Sequence, residues 1–387
     1  MRLVKVRVGA AVVAAILASG VITAWPYLRV ASFVVRAVGL GGWLDAGARA
    51  MTVRTIASEA RVPTRHGSVR VRLYRPSTAP ARTVLLVSGA HPDGIDEPRL
   101  MRLAVEIAAS GWAIATPELA DLMAYQVTPA STDIIEDAGV WLAGQRDLAP
   151  DGRIGLIGVS FSGGLAIVAA GRPALRDRTR FVFSFGGHGD LPRVLTYLCT
   201  GIEPALNGAL RSRPPHDYGL AFLTYWFAET IAPPEQVDRL RESVLTFLKA
   251  SGLAVVDPYR AETAFERARE LERSLPEPAR TLMHYVNERN VTALGRRLLP
   301  YVGLYGTDPG LSPERSAPPR APVFLLHGTD DNVIPAVESR LLGQWLEDRA
   351  PVRILLSNPI SHVNVTQRPT VGDYWALIAF WRGLAAR

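Results

Sequence analysis

Two serines stand two positions apart in the stretch GLIGVSFSGG, residues 155–164. A serine hydroxyl is a poor nucleophile at neutral pH. It becomes useful when the backbone presents it at an exposed point beside a base and donors for a developing oxyanion. A strand turning sharply into a helix makes such a point, provided the residues two before and two after the tip are small. Ser160 has Gly158 and Ser162 in those places, whereas Ser162 has Ser160 and Gly164. The apolar run RIGLIG supplies its last apolar residue at Ile157, so Gly158 falls where the chain must leave the sheet. Ser160 is therefore the expected nucleophile and Ser162 the alternative, since the Ser162 register would push the bulky Phe161 into the bend. An ordinary Gly/Ser-rich strand–helix turn would have the same composition.

The elements needed to position such a turn follow from hydropathy. RTIASEARVP and SVRVRLYRP flank His66-Gly67 and read as a hairpin. TVLLVSG (83–89), WAIATPEL, RIGLIG (153–158) and FVFSFGG (181–187) read as strands, the continuous apolar runs being those of a sheet covered on both faces. Between them PRLMRLAVEIAASG, TDIIEDAGVWLAGQ (132–145) and GGLAIVAAG (163–171) carry helical periodicity. The alternation stops over residues 188–320, which hold amphipathic helical patterns punctuated by proline. It resumes with PVFLLHG (322–328), AVESRLLGQWLED, VRILLSN (352–358) and GDYWALIAFWRGLA. The expected fold class is α/β, a mostly parallel central sheet flanked by helices, with a large helical insertion forming its own layer.

With these elements in place, residues 55 to 387 apart from the insertion resemble the α/β-hydrolase family. That resemblance implies a triad in the chain order serine, acid, histidine. LLHGTDDNVIP is similar to the family's acid-bearing turn, which implies Asp331 as the acid, and SNPISHVNV is similar to its histidine loop, which implies His362 as the base. It also implies an oxyanion hole from the N–H groups of Phe161, which follows the nucleophile, and Ala90, where Ser88-Gly89 replaces the family's usual His-Gly. Asp190 is the alternative acid, at a strand end where some members keep theirs. Asp330 reads as a solvated turn residue, and His91, His188 and His327 as structural. The insertion falls where the family carries its lid, and YGLAFLTYWFAET (218–230) would pack within it or line an apolar acyl pocket.

Composition bounds the rest. The chain has 387 residues, 48% hydrophobic and 20% charged, as expected of a globular protein. Its formal charge of +7 comes almost wholly from arginine, Lys5 and Lys249 being the lysines, and no basic run interleaved with aromatics marks a nucleic-acid groove. A single cysteine, Cys199, excludes an internal disulfide framework, and the histidines lack metal-ligand spacing, so neither metal nor cofactor is expected.

Residues 8–28 carry no charge and follow Arg2, Lys5 and Arg7, which suggests a membrane anchor in residues 1–28 with the remainder on the non-cytoplasmic side; the alternative is a cleaved secretory signal. Beyond it, residues 29–52 read as an amphipathic linker. Arg29 and Arg36 share a face there, with Val30, Phe33, Val34 and Ala37 opposite, a pattern suited to lying along a membrane surface. The expected activity is that of a membrane-anchored carboxylesterase or lipase-like serine hydrolase working through an acyl-enzyme. A peptidase or acyltransferase of the same fold, or a non-catalytic binding protein, are the alternatives. The partner is a small or lipid-like ester, with no nucleic acid.

Overall fold

The computed structural model describes residues 24–39, 41–254, 257–360 and 369–387. Helix α1 covers residues 24–38 and α2 Gly42–Arg49. The core opens with the hairpin β1 (Thr55–Thr64) and β2 (Gly67–Pro76). Then come β3 (Arg82–Val87), α3 (Pro98–Ala108), β4 (Trp112–Pro117), α4 (Ala120–Met123), α5 (Pro129–Gly144), β5 (Ile154–Val159), α6 (Phe161–Gly171), α7 (Pro173–Arg176) and β6 (Thr179–Phe185). Between β6 and the next core strand lie α8 (Leu191–Thr200), the short hairpin β7 (Ile202–Pro204) and β8 (Leu210–Ser212), α9 (Asp217–Trp226) and α10 (Ala228–Ile231). The same stretch continues with α11 (Pro234–Ala254), α12 (Pro258–Ser274), α13 (Ala279–Asn287), α14 (Val291–Leu298) and α15 (Val302–Gly306). The core closes with β9 (Val323–Gly328), α16 (Val337–Leu346), β10 (Val352–Ser357) and α17 (Val371–Ala385).

Eight strands form one sheet in the order β1-β2-β4-β3-β5-β6-β9-β10. Strand β2 is antiparallel to both β1 and β4; every pairing from β4 to β10 is parallel. Every residue of β4 and β9 is buried, and β3 and β5 nearly so, because helices cover both faces. One face packs against α5, α6, α16 and the helices of the insertion, and the other against α1, α3 and α17. The parallel strands turn all their carboxyl ends to one edge, which the following loops and helix N-termini occupy.

Three local expectations need correction. The hairpin turn is Arg65–His66, since Thr64 pairs with Gly67 and Gly67 (φ 101°) already belongs to β2. Strand β5 runs one residue further than the apolar pattern implied, through Val159. The third concerns α1. Its apolar residues Val30, Phe33 and Val34 do not face a membrane but are buried against α3 and α17, while Ala37 is exposed. Arg36, far from lying at a lipid surface, is 1% exposed and paired with Glu106 of α3, with Ser110 Oγ accepting a second bond at 2.8 Å. Burial draws the Arg36 guanidinium below its ordinary pKa, and the Glu106 carboxylate opposes that.

Removing one partner of such a pair strands the other charge in the interior. Glu106→Ala is therefore expected to lower stability by about 3–5 kcal/mol, read as a shift in the urea midpoint. Among the described residues no helix is long and apolar enough to cross a membrane; most of the 8–28 segment lies outside them.

Candidate active site

The bend after β5 falls on Ser160. Its φ of 58° and ψ of −134° are rare for a residue with a side chain, and the cost is met by the structure on either side. Gly158 makes the bend possible: a Cβ there would lie 2.2 Å from the Ser162 carbonyl oxygen, inside the first turn of α6. The helix is equally close to β6. A Cβ on Gly163 would meet Ser184 Oγ at 2.3 Å, and one on Gly164 would meet the His188 ring at 2.6 Å. Ser160 N donates to Phe185 O at 2.8 Å, which ties the bend to the carboxyl end of β6.

Ser162 is fully buried and otherwise employed. Its Oγ accepts from Val159 N at 2.9 Å and lies 2.8 Å from Val159 O and 3.1 Å from Val87 O, bracing the bend against β3. The loop after β3 reaches the same spot, since a Cβ on Gly89 would lie 3.3 Å from Ser160 Cβ and 4.0 Å from its Oγ. Ala90 follows directly, half-buried. Phe161 is the first residue of α6, a position whose N–H has no intrahelical acceptor. Its ring is buried, stacked on Phe222 of α9 at 5.3 Å between centroids.

The carboxylate candidates separate by their partners. Asp331, 1% exposed, follows β9; its Oδ1 accepts from Val333 N (2.9 Å) and Ile334 N (3.0 Å). Its Oδ2 lies 3.3 Å from His327 Nε2. That histidine is buried and committed: Nε2–H donates to Ile334 O at 2.8 Å, so Nδ1 is the acceptor for Ser339 Oγ at 2.7 Å. Asp330 is exposed. Asp190 caps α8, accepting from Arg193 N at 2.9 Å, and pairs with Arg315 Nε at 2.6 Å.

His362 lies outside the described residues. The chain leading to it leaves β10 beside the Asp331 turn: Thr329 N donates to Ser357 O at 3.1 Å and Thr329 Oγ1 to Asn358 Oδ1 at 3.1 Å. Ser160, Asp331 and the end of β10 thus share the carboxyl edge, with β6 between the first two and β10 next to β9. At about 4.8 Å per strand, the serine and acid turns start roughly 10 Å apart, a gap suited to one imidazole between them.

The other described histidines are held by local partners. His91 Nδ1 accepts from Asp93 N, His66 meets Asp133 and His284 meets Glu272. Among the described residues no group of three or more His, Cys, Asp or Glu side chains could hold a metal ion. Cys199 is buried, its thiol pushed up to about 12. His188 is buried beside Phe161 and donates from Nε2 to Leu311 O at 2.7 Å. Burial pulls its pKa from 6.5 to about 4. An unfolded chain takes up that proton first, so stability falls as pH drops from about 6.5 toward 4, by at most about 1.4 kcal/mol per unit from this group. Urea midpoints at pH 7.5 and 5.5 test this, and His188→Asn should flatten the difference.

The residues that sequence reasoning missed are Gly89 and Tyr125. Gly89 was visible as the partner of Ser88 but not as the contact of Ser160. Tyr125 has φ 52°, is buried, and packs edge-on against Tyr218, Phe222 and Tyr225 of α9. Those rings connect the insertion to the helix that begins at the Ser160 bend, through the Phe161–Phe222 stack.

The strand order, the antiparallel β2, the sharp β5–α6 turn and the helices between β6 and β9 define the α/β-hydrolase fold. No protein-family model matches the chain, and no curated protein matches it in sequence. Solved structures similar to it include a hyperthermophilic esterase from the archaeon Pyrobaculum calidifontis, at 15% identity and TM-score 0.45, covering 89% of this chain and 84% of that one. An esterase from Pyrococcus furiosus is 12% identical, with TM-score 0.45 and coverage of 85% and 90%. An acylaminoacyl peptidase from Pyrococcus horikoshii is 14% identical, with TM-score 0.44, covering 88% of this chain and 42% of the peptidase.

Proposed function

We propose that the protein is a serine hydrolase that cleaves carboxylic esters through an acyl-enzyme. The observation that carries this reading is the Ser160 backbone, a non-glycine residue at φ 58° between a strand and a helix that approach too closely for any side chain at Gly158. Such a bend is costly and has one evident use, presenting a hydroxyl at the carboxyl edge of the sheet. Ser160 attacks the ester carbonyl while His362 takes its proton and then delivers it to the departing alcohol; water reverses the sequence to release the acid. Asp331 fixes the imidazole tautomer and offsets the imidazolium charge. The N–H groups of Phe161 and Ala90 receive the oxyanion, each contributing about 3 kcal/mol to the barrier reduction.

Apolar acyl groups suit the aromatic surroundings of Tyr125, Tyr218 and Phe222. Residues 8–28 hold the enzyme at the membrane, with the catalytic domain on the non-cytoplasmic side. The deciding experiment is labelling by a fluorophosphonate probe, followed by turnover of p-nitrophenyl esters of increasing length beside peptide amides. Absence of labelling in folded protein would leave a hydrolase-fold binding protein, and faster amide turnover would replace the esterase by a peptidase. Retention in the pellet on alkaline carbonate extraction is the expected behaviour of the anchor.

A further inference from the structure

We propose that a cavity between α1, the starts of β3 and β4 and the end of α17 holds an acyl chain whose anionic head is gripped by Arg29, Arg82 and Arg382. The cavity measures about 280 Å³, and its walls include Trp25, Val30, Phe33, Ile107, Trp112 and Trp381. That is near the small end of ligand cavities and leaves room for part of one chain. It lies at the opposite edge of the sheet from Ser160, because Arg82 and Trp112 begin their strands whereas Ser160 follows the end of β5. Its occupant is therefore not the ester substrate, and the site stands independently of the hydrolase reading.

The arginines identify the ligand's charge. Elsewhere in the fold several buried or half-buried arginines meet carboxylates, among them Arg36 with Glu106, Arg172 with Asp133, and Arg193 with Glu314 and Glu338. None of the three at the cavity is in an ion pair among the described residues, although Asp151 lies near enough to Arg82 to favour its charge. Arg29 Nη2 donates to Ser110 O at 3.0 Å, Arg82 Nη1 to Ala81 O at 2.6 Å, and Arg382 lies 5.4 Å over the Tyr27 ring. The Nε groups of Arg82 and Arg382 are buried without an acceptor. Burial and then neighbouring Arg180 hold Arg82 below its ordinary pKa, with Asp151 opposing them. An apolar cavity bordered by three guanidiniums that stand outside any ion pair among the described residues selects an amphiphile with a carboxylate or phosphate head.

The surroundings place that amphiphile at a bilayer. Trp25, Tyr27, Leu28 and Trp375 are 50%, 41%, 49% and 61% exposed around the cavity's outer side, with Tyr27 stacked on Trp375. Tryptophan and tyrosine favour the headgroup zone. Helix α1, which carries three of them, begins within the uncharged segment 8–28.

Because Trp25, Trp112 and Trp381 line the cavity, a brominated chain should quench tryptophan emission. The whole protein in neutral detergent is titrated with dibromostearic acid and with its methyl ester, and is also placed in nanodiscs of brominated phosphatidylglycerol or phosphatidylcholine. Saturable quenching by the acid, or by phosphatidylglycerol over phosphatidylcholine, is expected. The first points to a free fatty acid and the second to a membrane lipid. Arg82→Gln and Arg382→Gln should each weaken it on the order of tenfold, while R382Q leaves the circular dichroism spectrum and short-ester hydrolysis unchanged. The proposal is overturned if the methyl ester quenches as well as the acid, if neither arginine variant matters, or if probe bound at Ser160 abolishes the effect. It is also overturned if no brominated chain quenches, which is the result expected when residues 1–23 of the chain itself fill the cavity.

Discussion

Ser160→Ala is expected to abolish fluorophosphonate labelling and to lower kcat for ester hydrolysis by roughly 10⁵–10⁶-fold, the scale seen when a triad nucleophile is removed, while the folded state survives. Alanine keeps the Cβ that the bend already accommodates. Ser162→Ala should do the reverse. Its hydroxyl contacts Val159 N, Val159 O and Val87 O in the interior, so its loss leaves buried groups unsatisfied at a cost of about 1–3 kcal/mol. Labelling should persist, because nothing in that bracing carries a proton to substrate. Thermal midpoints and labelling measured on both variants give opposite signatures. If labelling vanished in S162A and persisted in S160A, the nucleophile would be reassigned to a side chain with 0% exposure, and the elbow reading would fall with it.

The parts legible in the sequence were those set by local pattern. The runs TVLLV, IGLIG and VFLLHG carried the continuous apolar pattern of strands covered on both faces, and Gly158 two before Ser160 announced a tight turn. What was hidden depends on contacts distant in the chain. The periodicity of residues 27–40 fixes an apolar face but not what covers it, and the same pattern serves a bilayer or a groove between α3 and α17. Arg36 looked like a surface charge because its partner Glu106 lies 70 positions away. Tyr125 gave no glycine-like signal for its positive φ. Strands β7 and β8, three residues each, are too short to show alternation.

The two proposed sites sit at opposite edges of one sheet. Strands of six residues at about 3.3 Å each separate them by roughly 20 Å. A lipid seated between Arg29, Arg82 and Arg382 would turn the Ser160 edge away from the bilayer, so substrate would enter from the aqueous side beneath α9. That orientation argues for esters presented in solution over esters drawn laterally from the membrane, and the ester-length series bears on it directly.

Asp331→Asn is the sharper test of the triad, because it isolates charge from structure. An asparagine carbonyl can still accept from Val333 N and Ile334 N, so the turn after β9 should fold as before. What changes is Oδ2: an amide NH₂ donates where an acceptor is needed, and an imidazole facing it would adopt the wrong tautomer. The expected loss is about 10⁴-fold in kcat, with a modest drop in the thermal midpoint because the new NH₂ sits about 3.3 Å from the Nε2–H of His327. Asp331→Ala should add a stability loss, since both backbone donors then lack their acceptor. Asp330→Asn, on an exposed carboxylate, should retain activity. Asp190→Asn should keep the α8 cap, since an asparagine carbonyl can still accept from Arg193 N, but lose the charge of the Arg315 pair, lowering stability modestly while kcat holds. Were kcat to collapse in D190N and survive in D331N, the acid would belong to the end of β6, and His362 would need a path to it past Arg315.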